Sequence, residues 1–268
     1  MNIARLKRLF RRSAPDTKAT PSFDRTPESP EPFGYKVCWF AISTSDPASV
    51  IDALGFGKAT PANWSSGLAA ACGHEGDDRW VFVSPPLGGW VLAISGAWPY
   101  PTVETHHEIG KKFDILFARL AKRFDDVQFF GSYRVSDFAA WARAINGKPV
   151  RVFAYGDGQV LMNIGDQTAE EAKLGLVNLS GLSPTDAEDE IFRIAEERND
   201  EEERLVAGGL SHADAIVKAR QGGRDAFPGE EDVVDLAGLW SIHPTTLAEQ
   251  DHPPGVGLAV RLPSDLRQ

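Results

Sequence analysis

Cysteine is nearly missing from this chain of 268 residues, which holds only Cys38 and Cys72. Both lie in apolar, strand-like stretches, so a disulfide framework is excluded and two small buried hydrophobes in a reducing compartment are expected. Long apolar runs are missing too: none approaches the roughly eighteen to twenty residues that a bilayer-spanning helix needs. Both absences point to a cytoplasmic protein. Familiar catalytic signatures are also absent, with no GxSxG, no CxxC, no HExxH and no phosphate loop ending in GKS or GKT. No Lys or Arg stands between Arg224 and Arg261. The segment VVDLAGLWSIHPTTLAEQ has the look of a helix-turn-helix, but amid acids and without cations it does not suit a polyanion, so no nucleic acid is expected as a partner.

Core material is plentiful. The chain is 42% hydrophobic, with seven Trp and fifteen Phe, enough for one large domain or a domain with an appendage. Its formal net charge of −10 is unevenly spread: residues 1–12, MNIARLKRLFRR, carry five cations and no acid, which leaves −15 on the remainder. Ile3, Leu6, Leu9 and Phe10 fall at helical spacing between those cations. That is the pattern of a basic amphipathic helix able to contact an anionic membrane surface peripherally, with a frayed solvated terminus as the plainer alternative. The Pro/Ser/Thr-rich tract that follows excludes a secretory signal and leaves a mitochondrial presequence open. Residues 13–33 read as a flexible linker.

An α+β body is expected over residues 34–180. YKVCWFAI reads as a buried strand, followed by a helix capped by Asp46, with Pro47 in its first turn and Gly55 at its end. WSSGLAAAC reads as a further strand. The stretch WVFVSPPLGGWVLAISG, residues 80–96, then reads as a hairpin, and VRVFAYGDGQVLMNIG at 150–165 echoes it. A long helix is expected over 106–124, then a strand VQFFGSYRV, then a helix capped by Ser136 with Phe138, Trp141, Ala142 and Ile145 on one face and AsnGly at its end. The two halves therefore read as two βαββ-like units forming a mixed or antiparallel sheet.

Residues 181–268 read as an acidic helical extension with a final strand, VGLAVRLP. Between Asp186 and Glu203 stand ten acids against Arg193 and Arg198, with only a narrow apolar stripe. Such a run is either a solvated helix face or a surface for a basic protein partner. Glu196, Glu197, Glu201, Glu202 and Glu203 are the candidate partner-binding residues, with Asp189 and Asp200 beside them. Ser211 caps a further helix, and Trp240 is expected to pin the extension to the body.

No catalytic residue, metal site or cofactor is expected. Adjacent His106 and His107 point about 100° apart on a helix and cannot converge on a metal as an i, i+4 pair does. ThrHisHisGlu at 105–108 instead fits a capping box. HisGluGlyAspAsp at 74–78 reads as a loop and GlyAspGly at 156–158 as a hairpin turn.

The segments YKVCWFAISTSDPASVIDALGF, WVFVSPPLGGWVLAISG and DVQFFGSYRVSDFAAWARAINGKPVRVFAY resemble a family of uncharacterised bacterial proteins, common in high-GC genomes and associated with toxin-immunity loci. The resemblance covers about residues 35–180. It implies a non-enzymatic immunity protein whose partner is a cognate toxin, and it brings no catalytic residues. Two alternatives stand beside it. One is a metal-dependent enzyme of a glyoxalase-like fold, although the expected strands contain no His or Glu to serve as ligands. The other is a membrane-surface adaptor anchored by residues 1–12.

Overall fold

Along the strand Cys38–Ser43 (β1), Trp39 and Ala41 enter one hydrophobic core while Phe40 and Ile42 enter another. This period of two, apolar on both faces, marks a strand with packing above and below it. The same division runs through the sheet: Phe82, Phe130, Trp141 and Phe153 face the first core, and Val81, Phe129, Ala142 and Val152 the second.

The computed structural model describes residues 21–73, 79–103, 107–220 and 224–266. Its strands after β1 are β2 (Thr60–Ala62), β3 (Trp80–Val83), β4 (Trp90–Ser95), β5 (Asp126–Tyr133), β6 (Phe138–Ile145), β7 (Lys148–Gly156), β8 (Gln159–Ile164) and β9 (Gly257–Arg261). They form one sheet in the order β2-β9-β3-β4-β1-β5-β6-β7-β8. Every neighbouring pair is antiparallel. The helices are α1 (Pro47–Leu54), α2 (Trp64–Cys72), α3 (His107–Arg123), α4 (Ala169–Lys173), α5 (Pro184–Ala207), α6 (His212–Ala219) and α7 (Glu230–Trp240). Helices α1 and α3 cover one face, while α2, α5 and α7 contribute to the core of the other.

The α+β class, the antiparallel sheet and the acidic helical extension are therefore as the sequence implies. Asp46 caps α1, Pro47 opens it and Gly55 closes it at φ 73°. Both quoted hairpins are present. The first turns at Gly88 and Gly89. The second turns at Asp157 and Gly158, both at positive φ.

Three local expectations give way. Residues 138–145 form strand β6, not a Ser136-capped helix, so the two halves are not matched βαββ units. The run FAAWARAI is apolar on both faces, and so short a run looks alike as buried helix or buried strand. Asn146 and Gly147, at φ 50° and 79°, make the two-residue hairpin turn between β6 and β7 and do not end a helix. WSSGLAAAC forms α2, because the Asn63 side chain accepts from the Ser66 amide and caps it. Finally, residues 21–33 are a strap on the body. Phe23 meets Trp80 edge-on at 5.0 Å, Phe33 meets Trp39 at 5.4 Å, and Glu28 bridges to Gly255 and accepts from the Ser65 amide at 2.9 Å. Gly34 ends the strap at φ 129°, where a Cβ would meet Pro244 at 2.9 Å. The basic segment 1–12, loop 74–78 and the Thr105 and His106 of the capping box lie outside the described residues.

The segment that leads into the extension is tied to the sheet by buried polar chemistry. Arg151 of β7 and Glu171 of α4 are 3% and 2% exposed and pair at 2.9 Å. Glu171 also accepts from Trp141 Nε1 at 2.8 Å and from the Thr168 amide at 2.7 Å. Removing one partner leaves the other charge buried and alone. Arg151→Met is therefore expected to cost about 3–5 kcal/mol in urea denaturation, and adding Glu171→Leu to recover part of that loss.

Candidate functional site

Helix α5 begins where Ser183 accepts from the Asp186 amide and Pro184 occupies the first turn. At about 1.5 Å per residue its 24 residues span roughly 36 Å. Ala187 and Ile191 anchor its first half in the sheet core, whereas Leu205 in its last turn packs only with Leu210, Ala215 and Ala219 in a small separate cluster. The second half and α6 thus form a helical hairpin with little apolar support.

Successive helix residues turn by about 100°, so Asp189, Glu196, Asp200 and Glu203 fall within roughly a 60° sector facing away from Ala187, Ile191 and Leu205. All four are exposed, and none forms an ion pair among the described residues. The other three sequence candidates are committed. Glu197 pairs with Arg193 at 2.5 Å, Glu201 with Arg204 at 2.6 Å, and Glu202 lies 3.1 Å from His212 Nε2. Hydrogen bonds from Arg193 hold Glu190, and those from Arg204 hold Glu201, below the ordinary carboxylate range. The seven candidates therefore separate into an outward stripe of four free carboxylates, two carboxylates held by the helix's own arginines, and Glu202 beside His212.

Beside this stripe stands an aromatic residue that a search for charge overlooks. Phe192, one turn before Glu196, is 47% exposed and rests edge-on against Phe227 at 5.2 Å. Its signal in the sequence was an apolar residue among acids, off the Ala187–Ile191 face.

Behind the hairpin, Arg224 donates to Asp232 at 2.8 Å and also pairs with Asp235. Asp235 in turn meets His243 Nε2 at 3.1 Å, and His243 Nδ1 lies 3.1 Å from the Thr245 hydroxyl. Acid, imidazole and hydroxyl are thus in line, as in a nucleophilic relay. Here Asp235 is already held by Arg224, and Thr245 lies two residues from His243 in the same 3-10 turn. The set acts as a clamp closing the end of α7. Trp240, buried at the last turn of α7, pins that helix to the sheet through Phe130 at 5.6 Å and beneath Arg143 at 5.5 Å. Among the described residues no group of three or more His, Cys, Asp or Glu is arranged to hold a metal ion. Burial pushes the Cys38 thiol up to about 12 and the Cys72 thiol up to about 11, far from thiolate chemistry at neutral pH. No described helix is long and apolar enough to cross a membrane.

Comparison with models of protein families, with curated proteins and with solved structures finds no match to this chain.

The clamp has a defined pH response. Burial alone would raise the Asp235 carboxyl, but hydrogen bonds from Arg224 and His243 outweigh it and hold the group below its ordinary value of 3.8. A depressed carboxyl contributes stability above its unfolded value, and the contribution disappears as pH falls through the folded value. Because Asp235 is about one-third exposed, Asp235→Asn is expected to cost only about 1 kcal/mol at neutral pH. Urea denaturation at a series of pH values should show wild type and variant converging below pH 3.8.

Proposed function

We propose that this chain is a non-enzymatic protein-binding module that docks a basic protein surface on the outward stripe of α5. An immunity protein neutralising a cognate bacterial toxin is the form we put forward, in keeping with the resemblance of residues 35–180 to proteins of toxin-immunity loci. The observation that carries the reading is the separation of α5 into free and neutralised carboxylates. A helix that only needed solubility has no reason to leave Asp189, Glu196, Asp200 and Glu203 unpaired on one line while its arginines serve the flank. Exposed Phe192 adds the aromatic anchor that protein interfaces favour beside charge. Free carboxylates on a projecting hairpin raise encounter rates with a cationic partner and repel nucleic acid.

The test compares two sets of substitutions against a partner recovered from the native host. Neutralising the stripe (Asp189→Asn, Glu196→Gln, Asp200→Asn, Glu203→Gln) should slow association by about tenfold or more at low salt, with the difference shrinking as salt is added. Neutralising Glu197 and Glu201 should change the on-rate far less. Equal effects of the two sets, or an on-rate that ignores the stripe, would return α5 to a solvated face.

A further inference from the structure

A cavity of about 380 Å³ opens at the end of the sheet where β1 begins and the β7–β8 hairpin turns. Its body is walled by Cys38, Tyr100, Phe138 and Leu161, which belong to the core on the α1/α3 face, away from α5. The Tyr100 and Phe138 rings stand 4.7 Å apart and tilted, which gives the wall two aromatic surfaces. Its rim carries one ammonium and one carboxylate, Lys36 and Asp157, both exposed. Neither forms an ion pair with the other or with any described residue.

The rim is also where the backbone is least relaxed. Of the four non-glycine residues at positive φ among the described residues, Lys36 and Asp157 line this opening. Asp tolerates that region and Asp157 sits in a hairpin turn, but Lys36 at φ 56° has no such excuse. Strain of this kind persists where the surrounding structure holds it and clusters at ligand sites. Burial first, and then the nearby Cys38 and Asp157, hold the Tyr100 hydroxyl above its ordinary value.

We propose that this cavity binds a small zwitterion with an apolar body, the class of free amino acids with an aromatic or branched side chain. The apolar body lies against Tyr100, Phe138 and Leu161. The ligand ammonium meets Asp157 and its carboxylate meets Lys36, two rim charges that have no ion-pair partner among the described residues. The volume is within the range of ordinary small-molecule sites, roughly 300–1,000 Å³. This site is independent of the α5 surface, and either can fail without the other.

Calorimetric titration of the full chain with L-phenylalanine, L-leucine, 3-phenylpropionate, phenethylamine and L-alanine tests the assignment. At least one of the two apolar amino acids should bind saturably. The three compounds that each lack one element should bind about tenfold more weakly or worse. Asp157→Asn keeps a residue that accepts positive φ and should weaken the amino acid about tenfold while sparing 3-phenylpropionate, and Lys36→Met should spare phenethylamine in the same way. The proposal is overturned if neither amino acid binds, if the compounds missing one charge bind as tightly as the amino acid, or if neither rim substitution alters its affinity.

Discussion

The ion pair between Arg151 and Glu171 holds the rest of the molecule in register. It is nearly sealed from water, and its remaining hydrogen-bonding capacity leads outward in a chain. Arg151 donates to the Asn163 side chain at 2.7 Å and to the carbonyls of Ile164 and Gly165. Asn163 in turn donates to the carbonyls of Leu179 and Leu182 at 2.9 Å. Leu182 directly precedes Ser183, the cap of α5. A buried pair gains little net stability over apolar residues of the same shape, but it tolerates one arrangement of its partners. That arrangement fixes where the acidic helix starts and which of its faces looks outward.

The outer elements follow from that constraint. With the start of α5 set, Ala187 and Ile191 fall against the sheet, and Glu188 reaches the Val160 amide of β8 at 3.3 Å, covering part of an edge that would otherwise invite another strand. At the opposite edge the chain uses a short strand containing Pro61, which blunts pairing in a different way. Strand β9 inserts between β2 and β3, so the last strand of the extension belongs to the sheet of the body. The acidic stripe therefore rides on a sheet whose two edge strands, β2 and β8, are both blunted.

Much of this was legible in the sequence where local chemistry and burial agree. Asp46 with Pro47 announced α1, GlyGly and AspGly announced two hairpins, and Ser211 announced the start of α6, whereas the Ser183 cap of α5 went unread. The misreadings fall where two answers share one pattern. FAAWARAI is rich in alanine, a strong helix former, yet its neighbours on both sides are strands and tertiary pairing decides. The AsnGly after it was the stronger clue, since two residues at positive φ suit a hairpin better than a helix end. On α5 the wealth of acids was visible but its division was not. Which carboxylates are free depends on where Arg193 and Arg204 fall around the helix, and on a core face that only the sheet defines. The rim of the cavity left still less trace, because Lys36 and Asp157 lie far apart in sequence and come to one cavity only through the pairing of β1, β5, β6 and β7 side by side.

Buried polar contacts weld the first half of α5 to the sheet, while its second half, with α6, projects on a small cluster of its own. Native-state hydrogen exchange measures this directly, because amides that open together share one free energy. The account predicts that amides of α5 near Ile191 exchange only through the same global opening as those of β6 and β7, and that amides near Leu205 and in α6 open at lower cost. Uniform exchange along α5, or an anchored half that opens independently of β7, would contradict it.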